Sequence, residues 1–172
     1  RSPFVYSKVN EKTLDEAELT IQAELENNSD KVIEGVLRVD FEVGVVEKKV
    51  SLKAGESMSC VFSPEEYKQL SVKNVNFWWP NGMGNPNLYG LKVECISENK
   101  VLDKAEGEYG IREFKSYLDK NKNRVVEVNG KFVLIKGGGW ADDLLLQDTK
   151  ETIEAQLKYV KHMNMNCVRL EG

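Results

Sequence analysis

Four short runs of this sequence alternate apolar and polar residues with a period of two. Leu19, Ile21, Ala23 and Leu25 make the first, and Leu37, Val39, Phe41 and Val43 the second. Met58, Cys60 and Phe62 make the third, and Leu91, Val93 and Cys95 the fourth. Successive side chains of an extended strand point to opposite sides, so each run buries one face and wets the other. Turn formers separate the runs: Asn27-Asn28-Ser29-Asp30, Ala54-Gly55-Glu56 and Ser97-Glu98-Asn99. No long helical pattern falls between them. The spacing predicts a mainly β chain, with an immunoglobulin-like antiparallel β-sandwich over residues 1–110. Ser63-Pro64-Glu65-Glu66 predicts one helical turn reaching about Leu70. Val46-Glu47-Lys48-Lys49 reads as a solvated strand edge.

The texture changes over 111–172, a second segment of linker hairpin and α/β pattern. Ile111 to Tyr117 is a strand candidate, Asp119 to Asn123 a polar turn, and Val125 to Val128 a further strand closed by the hairpin signal Asn129-Gly130. In Lys131 to Lys136 the apolar residues are continuous, the mark of a strand covered on both sides as parallel strands are. It ends in Gly137-Gly138-Gly139. Asp148, with Glu151 three residues on, has capping-box spacing, and Ile153, Leu157 and Val160 follow at helical intervals. Asn164-Met165-Asn166 breaks that helix, and Cys167 to Glu171 is a last strand. Strand, helix and strand from Phe132 to Glu171 predict a βαβ unit with parallel strands. Such a unit has too few partners to bury its own sheet. The reading is therefore of a sandwich joined to the start of a larger α/β domain, in a chain running from Arg1 to Gly172 that looks excised from something longer.

Composition removes whole classes of function. With 41% hydrophobic and 30% charged residues the chain is neither disordered nor fibrous. No apolar run approaches the roughly 20 residues of a membrane helix. A net charge of −4 supplies no basic surplus for nucleic acid or anionic lipid. The three cysteines, Cys60, Cys95 and Cys167, cannot all pair within one chain, and with a single histidine they do not make a four-ligand zinc site. Cys60 and Cys95 either pair across the sandwich or serve as small buried hydrophobes; the odd count favours the second.

The stretch Trp78-Trp79-Pro80-Asn81-Gly82-Met83-Gly84-Asn85-Pro86-Asn87-Leu88-Tyr89 resembles the late sandwich motif of glycoside hydrolase family 2. Gly110-Ile111-Arg112-Glu113 is similar to that family's exit from the sandwich. Val128-Asn129-Gly130-Lys131-Phe132, then Gly137-Gly138-Gly139-Trp140, resemble its entry into a (β/α)8 barrel. Lys158 to Asn166, leading to Val168-Arg169-Leu170, is similar to the first barrel helix and second strand. Gly139-Trp140-Ala141-Asp142-Asp143 and Val168-Arg169-Leu170-Glu171-Gly172 lean toward the exo-β-D-glucosaminidase and β-mannosidase branch. The resemblance implies the opening of a truncated TIM barrel and a longer parent that cleaves β-linked glucosamine or mannose residues with retention, without a cofactor. Two carboxylates roughly 5–5.5 Å apart do that chemistry in retaining enzymes. The resemblance puts both on later barrel strands, so it implies no catalytic residue here and an inactive fragment. It implies a β-linked oligosaccharide as ligand of the parent, with the remaining barrel and an N-terminal domain of the same chain as partners. It also implies a periplasmic or secreted parent.

Barrel active sites lie at the C-terminal ends of the strands. Two such ends are expected here, one delivering Trp140, Asp142 and Asp143, the other Glu171. An aromatic plate stacks on the C–H face of a sugar, and carboxylates accept from hydroxyls or pair with an amine. The resemblance implies that Glu171 holds the ammonium of glucosamine. Each has a plainer reading: core packing for Trp140, turn chemistry for Asp142 and Asp143, an exposed end for Glu171. Phe77-Trp78-Trp79 reads as packing ahead of a sugar platform, His162 as a surface cation near a helix end, and Gly137-Gly138-Gly139 as a place of close backbone approach, since it lacks both phosphate-loop spacings. The rival reading is a free-standing immunoglobulin-like module for carbohydrate binding or adhesion. An uncovered βαβ tail is expected to be poorly ordered, to fold back, or to pair with a second copy as a homodimer.

Overall fold

The computed structural model describes residues 3–145 and 147–171; Arg1 and Gly172, with which the sequence reading began and ended, lie outside them. The chain divides into two compact units, Arg1–Phe77 with Asn87–Glu113, and Trp78–Pro86 with Phe114–Gly172.

The first unit holds eight strands: β1 (Phe4–Val9), β2 (Glu16–Glu26), β3 (Ile33–Asp40), β4 (Val45–Leu52), β5 (Ser57–Phe62), β6 (Ser71–Lys73), β7 (Tyr89–Ser97) and β8 (Lys100–Tyr109). They form two four-stranded antiparallel sheets. One runs β1-β2-β5 with β6 also on β2, and the other β4-β3-β7-β8. Alternation sends Leu19, Ile21 and Phe62 of one sheet and Leu37 and Val39 of the other to full burial in a shared core. The second run stops short of its expected length, because β3 ends at Asp40. Glu42 takes a left-handed conformation at φ 67°, Phe41 N donates to Gly44 O, and Val43 is left 40% exposed. Gly44 is needed there, since a Cβ would stand 2.6 Å from the Phe41 ring. Buried Tyr109 closes the same corner by donating its hydroxyl to Phe41 O at 2.8 Å.

β1 and β8 have no clear period-two signature. β8 exposes nearly every side chain and pairs only with β7, so its register comes from its neighbour and not from an apolar face of its own. The expected helical turn is present as a turn closed by Tyr67 N donating to Ser63 O, followed by a 3-10 turn at Lys68–Leu70 that buries Leu70. The cysteines are free thiols; Cys60 is buried, and burial pushes its thiol up, as for an inert core residue.

The second unit opens with an antiparallel meander of β9 (Phe114–Leu118), β10 (Arg124–Val128) and β11 (Lys131–Phe132). Its first strand begins at Phe114, not Ile111. The backbone amides of Asn123 and Asn121 donate to Asp119 and hold its carboxyl below the ordinary carboxylate range. Asn129 and Gly130 both have positive φ, the type I′ geometry that their sequence predicts.

The expected double-sided strand over Phe132–Ile135 is not there. β11 is two residues long and pairs with β10 alone; Val133 is buried, while Phe132, Leu134 and Ile135 are 62%, 65% and 49% exposed. A continuous apolar run is covered on both sides only where strands flank it and further layers pack on it, and 133–136 instead bridges to the next strand. The parallel pair is formed by β12 (Gly137–Ala141) and β13 (Cys167–Glu171), in register from Gly137 with Cys167 to Ala141 with Glu171. The glycine run is therefore the strand itself. Gly137 permits it, because a Cβ there would collide with the carbonyl of Cys167. Helix α1 (Lys150–His162) links the two strands. Its cap is Thr149, not Asp148: the Thr149 hydroxyl accepts from Thr152 N at 3.2 Å, while Asp148 accepts from Asp143 N at 3.0 Å.

Candidate functional site

Three asparagines of the second unit tie together the segments that lead into the strands carrying the candidate residues. Asn166 donates from Nδ2 to Leu134 O at 3.0 Å and accepts at Oδ1 from Lys136 N at 2.9 Å, so the approach to β12 is clasped to the approach to β13. Asn81 donates to Lys161 O at 3.2 Å and Met165 O at 3.0 Å, so the loop over 78–86 is tied to the last turn of α1 and to the turn that follows it. Asn129, fully buried, donates to Trp78 O at 3.1 Å. The last two explain why 78–86 belongs with the second unit although sandwich strands precede and follow it.

At the C-terminal ends of the parallel pair, Glu171 closes β13 opposite Ala141, and Asp142 and Asp143 follow β12 directly. Registered partners of adjacent strands share a face, and alternate residues switch faces. Glu171, Arg169, Gly139 and Ala141 therefore lie on one face, and Trp140, Leu170 and Val168 on the other. The Glu171 carboxylate lies over Gly139, where any Cβ would meet it. Arg169 donates to its Oε1 from both Nε, at 3.1 Å, and Nη2. The ring of Trp140, half-buried, points to the opposite side.

The two aspartates differ. Asp143 accepts from Leu145 N at 3.0 Å and Gln147 N at 3.3 Å, and its own N–H donates to Asp148, so its carboxylate shapes the loop. Asp142 is exposed beside it. The structure thus brings Glu171 and Asp142 to neighbouring strand ends, engages one carboxylate oxygen of Asp143 with two loop amides, and separates Trp140 from Glu171 by the pleat. The sequence motif contains Arg169 without assigning it a place at the site, although its position two residues before Glu171, hence on the same strand face, was the available signal.

Elsewhere, Phe77 is buried and Trp78 and Trp79 are half-buried, so none of the three is an open plate. His162 is exposed in the last turn of α1, beside Lys161, where carbonyl dipoles favour cations. Among the described residues no group of three or more His, Cys, Asp or Glu side chains is placed to hold a metal ion.

In class, this is an immunoglobulin-like β-sandwich continuing into a parallel strand–helix–strand unit with carboxylates at its strand ends. A family model described as glycosyl hydrolases family 2 matches residues 1–112. The chain belongs to glycosyl hydrolase family 2. The exo-β-D-glucosaminidase of Streptomyces avermitilis is 32% identical over 172 residues, which is all of this chain and 19% of that protein. The solved exo-chitosanase CsxA of Amycolatopsis orientalis is 32% identical with a TM-score of 0.88, over 100% of this chain and 20% of that one. The mannosylglycoprotein endo-β-mannosidase of Lilium longiflorum is 34% identical over 100 residues, 56% of this chain and 10% of that protein. The chain spans 16–19% of the length of the curated exo-β-D-glucosaminidases it matches.

Proposed function

We propose that this chain is the sandwich and the opening barrel segment of a longer retaining β-glycoside hydrolase that removes glucosamine from β-linked chains. The sandwich is the scaffold. The ends of β12 and β13 supply part of the sugar-binding face, and the acid/base and nucleophile come from outside this chain. The observation that carries the reading is similarity to an exo-β-D-glucosaminidase along the full 172 residues, so that β12, α1 and β13 are included as well as the sandwich. The mannosidase relatives match over 56–60% of the chain, which favours glucosamine over mannose. Apolar side chains in the second unit fit a continuing barrel: Leu157 of α1 is 43% exposed and Leu170 of β13 is 80% exposed.

In this reading Glu171 pairs with the substrate ammonium, a charge-assisted bond that a neutral sugar cannot make. Arg169 holds one carboxylate oxygen and fixes the direction of the other. Asp142 stands at the adjacent strand end to accept from sugar hydroxyls, Asp143 holds the loop that presents it, and Trp140 packs behind the strands. The test is turnover of p-nitrophenyl β-D-glucosaminide and of the matching β-D-glucoside by the longer protein with and without Glu171→Gln. The expected result is a drop of tenfold or more in the glucosaminide-to-glucoside ratio of kcat/KM. An unchanged ratio in an active variant would refute the role of Glu171, and no glucosaminide turnover by the longer protein would refute the activity.

A further inference from the structure

Lys48 stands at a core-facing position of a strand that has a neighbour on one side only. β4 is the edge of its sheet and pairs with β3 alone. Its residues alternate: Val46, Val50 and Leu52 are buried, and Val45, Glu47, Lys49 and Ser51 are exposed. Lys48 falls in the inward set. Sequence alone marks 46–49 as a solvated edge; that holds for Glu47 and Lys49, whereas Lys48 faces inward. A lysine between two inward valines has to carry its ammonium out to water or to acceptors. Here it leaves through the open side of the sandwich. Its Nζ donates to Val61 O of β5 at 2.8 Å and to Glu66 Oε2 at 2.9 Å. It also lies 5.5 Å from the centre of the Phe62 ring and 5.9 Å from that of Tyr67. The bond to Glu66 raises the Lys48 pKa above the ordinary lysine value of 10.5, so the charge is present at neutral pH.

Glu66 and Tyr67 belong to the turn that follows β5. The Tyr67 ring packs on Phe62 with centroids 5.3 Å apart, and its hydroxyl donates to Glu47 O at 3.0 Å. An edge strand offers the N–H and C=O of alternate residues to whatever lies beside it. Glu47 O on β4 and Val61 O on β5 are two such groups, and each accepts from a side chain that crosses the opening. The turn over 63–67 therefore lies across the β4 edge as a strap, tied through Lys48 to Glu66 and through Glu47 O to Tyr67.

The charges of β4 show what the strap and the lysine keep away. In a two-fold antiparallel pairing of β4 with β4 of a second copy, one register sets Glu47 opposite Lys49 twice on the outer face, which is attractive. A shift of two residues either way sets Glu47 opposite Glu47 or Lys49 opposite Lys49, which is repulsive. The register that the outer face favours also sets Lys48 opposite Lys48 on the inner face, two like charges drawn away from water. Lys48 thus opposes the one pairing that its neighbours on the strand promote.

We propose that Lys48 is an edge guard: with the 63–67 strap it shuts the open side of the sandwich, and its charge blocks pairing of β4 with β4 of a second copy of this chain. The inference concerns the sandwich and is independent of the hydrolase reading. The test compares the 172-residue chain with Lys48→Met, Tyr67→Phe, the double variant and Lys48→Arg by sedimentation velocity over a range of concentrations, with amide exchange read at Glu47 and Lys49. Methionine keeps the length of the stem and drops the charge. Val61 and Glu66 are exposed, so water replaces the lost partner and the thermal midpoint should stay within about 5 °C of the native chain. The expected result is self-association at least about tenfold tighter in the double variant than in the native chain, with exchange at Glu47 and Lys49 slowing as concentration rises. Lys48→Arg should match the native chain. Adding Glu47→Lys to the double variant should abolish the gain by setting like charges opposite each other, and adding Lys49→Glu as well should restore it. Should the double variant not fold, Lys48→Met alone carries the test, with a gain of at least about threefold. Unchanged association, a gain without slowing at Glu47 and Lys49, or a gain that survives Glu47→Lys each overturn the proposal.

Discussion

Asn27 offers the sharpest test of how the sandwich is held at its end. It follows β2, is 3% exposed, and sits at the junction of two connections. Its Nδ2 faces three carbonyls, Lys31 O at 2.8 Å, Lys53 O at 3.0 Å and Leu52 O at 3.1 Å. An amide has two hydrogens, so one of them is shared. Its Oδ1 accepts from Ser29 N at 3.0 Å and Ser29 Oγ at 2.8 Å. The β2–β3 turn is thereby tied to the β4–β5 turn. In Asn27→Ala the two donated bonds go, at about 1 kcal/mol each, and the carbonyl of Leu52 is stranded in the interior at about 1–3 kcal/mol. A total of about 3–5 kcal/mol lowers the midpoint of a unit of roughly 100 residues by at least about 12 °C. Thermal and urea unfolding by circular dichroism measure this, and amide exchange in β2 and β4 assigns the loss to the sandwich. Asn27→Asp keeps the shape but sets a carboxylate against three carbonyls. Burial there raises the pKa of the new acid in the folded state above its unfolded value. The acid form returns one O–H donor at low pH, so the cost of this variant is smallest near pH 3 and grows as pH rises toward 7. An alanine variant within about 0.5 kcal/mol of the native chain, or an aspartate variant whose cost is flat with pH, would refute the reasoning.

Tyr109→Phe removes the buried hydroxyl bonded to Phe41 O and should cost about 1–2 kcal/mol in urea unfolding. Burial pushes the Tyr109 hydroxyl well above the ordinary tyrosine value of 10.0, so the unfolded chain ionises first. Stability should be flat below pH 10 and fall as pH rises beyond it, a decline that is smaller in the Phe variant. Thr149→Ala should cost α1 about 1 kcal/mol, seen as faster exchange in its first turn, whereas Asp148→Ala should leave that turn protected and loosen the amide of Asp143. Gly137→Ala should separate β12 from β13, read as lost protection from Gly138 to Trp140 with the sandwich unaffected; retention of that protection would show that the strands accommodate a side chain.

Much of the sandwich was legible because one-sided burial leaves a local trace. Leu19, Ile21, Leu37 and Val39 alternate with polar residues, and each is fully buried. Asn129-Gly130 was equally legible, because two consecutive positive φ angles are a requirement of the chain itself. The parallel pair was legible in kind and misplaced in register. Its first strand contains three glycines, which carry no hydropathy signal, while the apolar run beside it looked like a strand and is mostly exposed. Of the candidate site, the presence of carboxylates at the two strand ends could be read in advance. Their differing employment could not, because the ties of Asp143 to Leu145 and Gln147 and of Glu171 to Arg169 depend on loop path and strand pairing.

The linear sequence determined which stretches extend, where they turn, and which side of each strand seeks the core, since those preferences act between residues a few positions apart. Tertiary structure alone decided that Asn27 and Asn129 are buried polar anchors, that 78–86 joins the later unit, and that Trp140 and Glu171 fall on opposite faces. Those outcomes rest on partners 25 to 84 positions distant in the chain. No local pattern encodes an acceptor that arrives only when another strand or helix end is brought alongside.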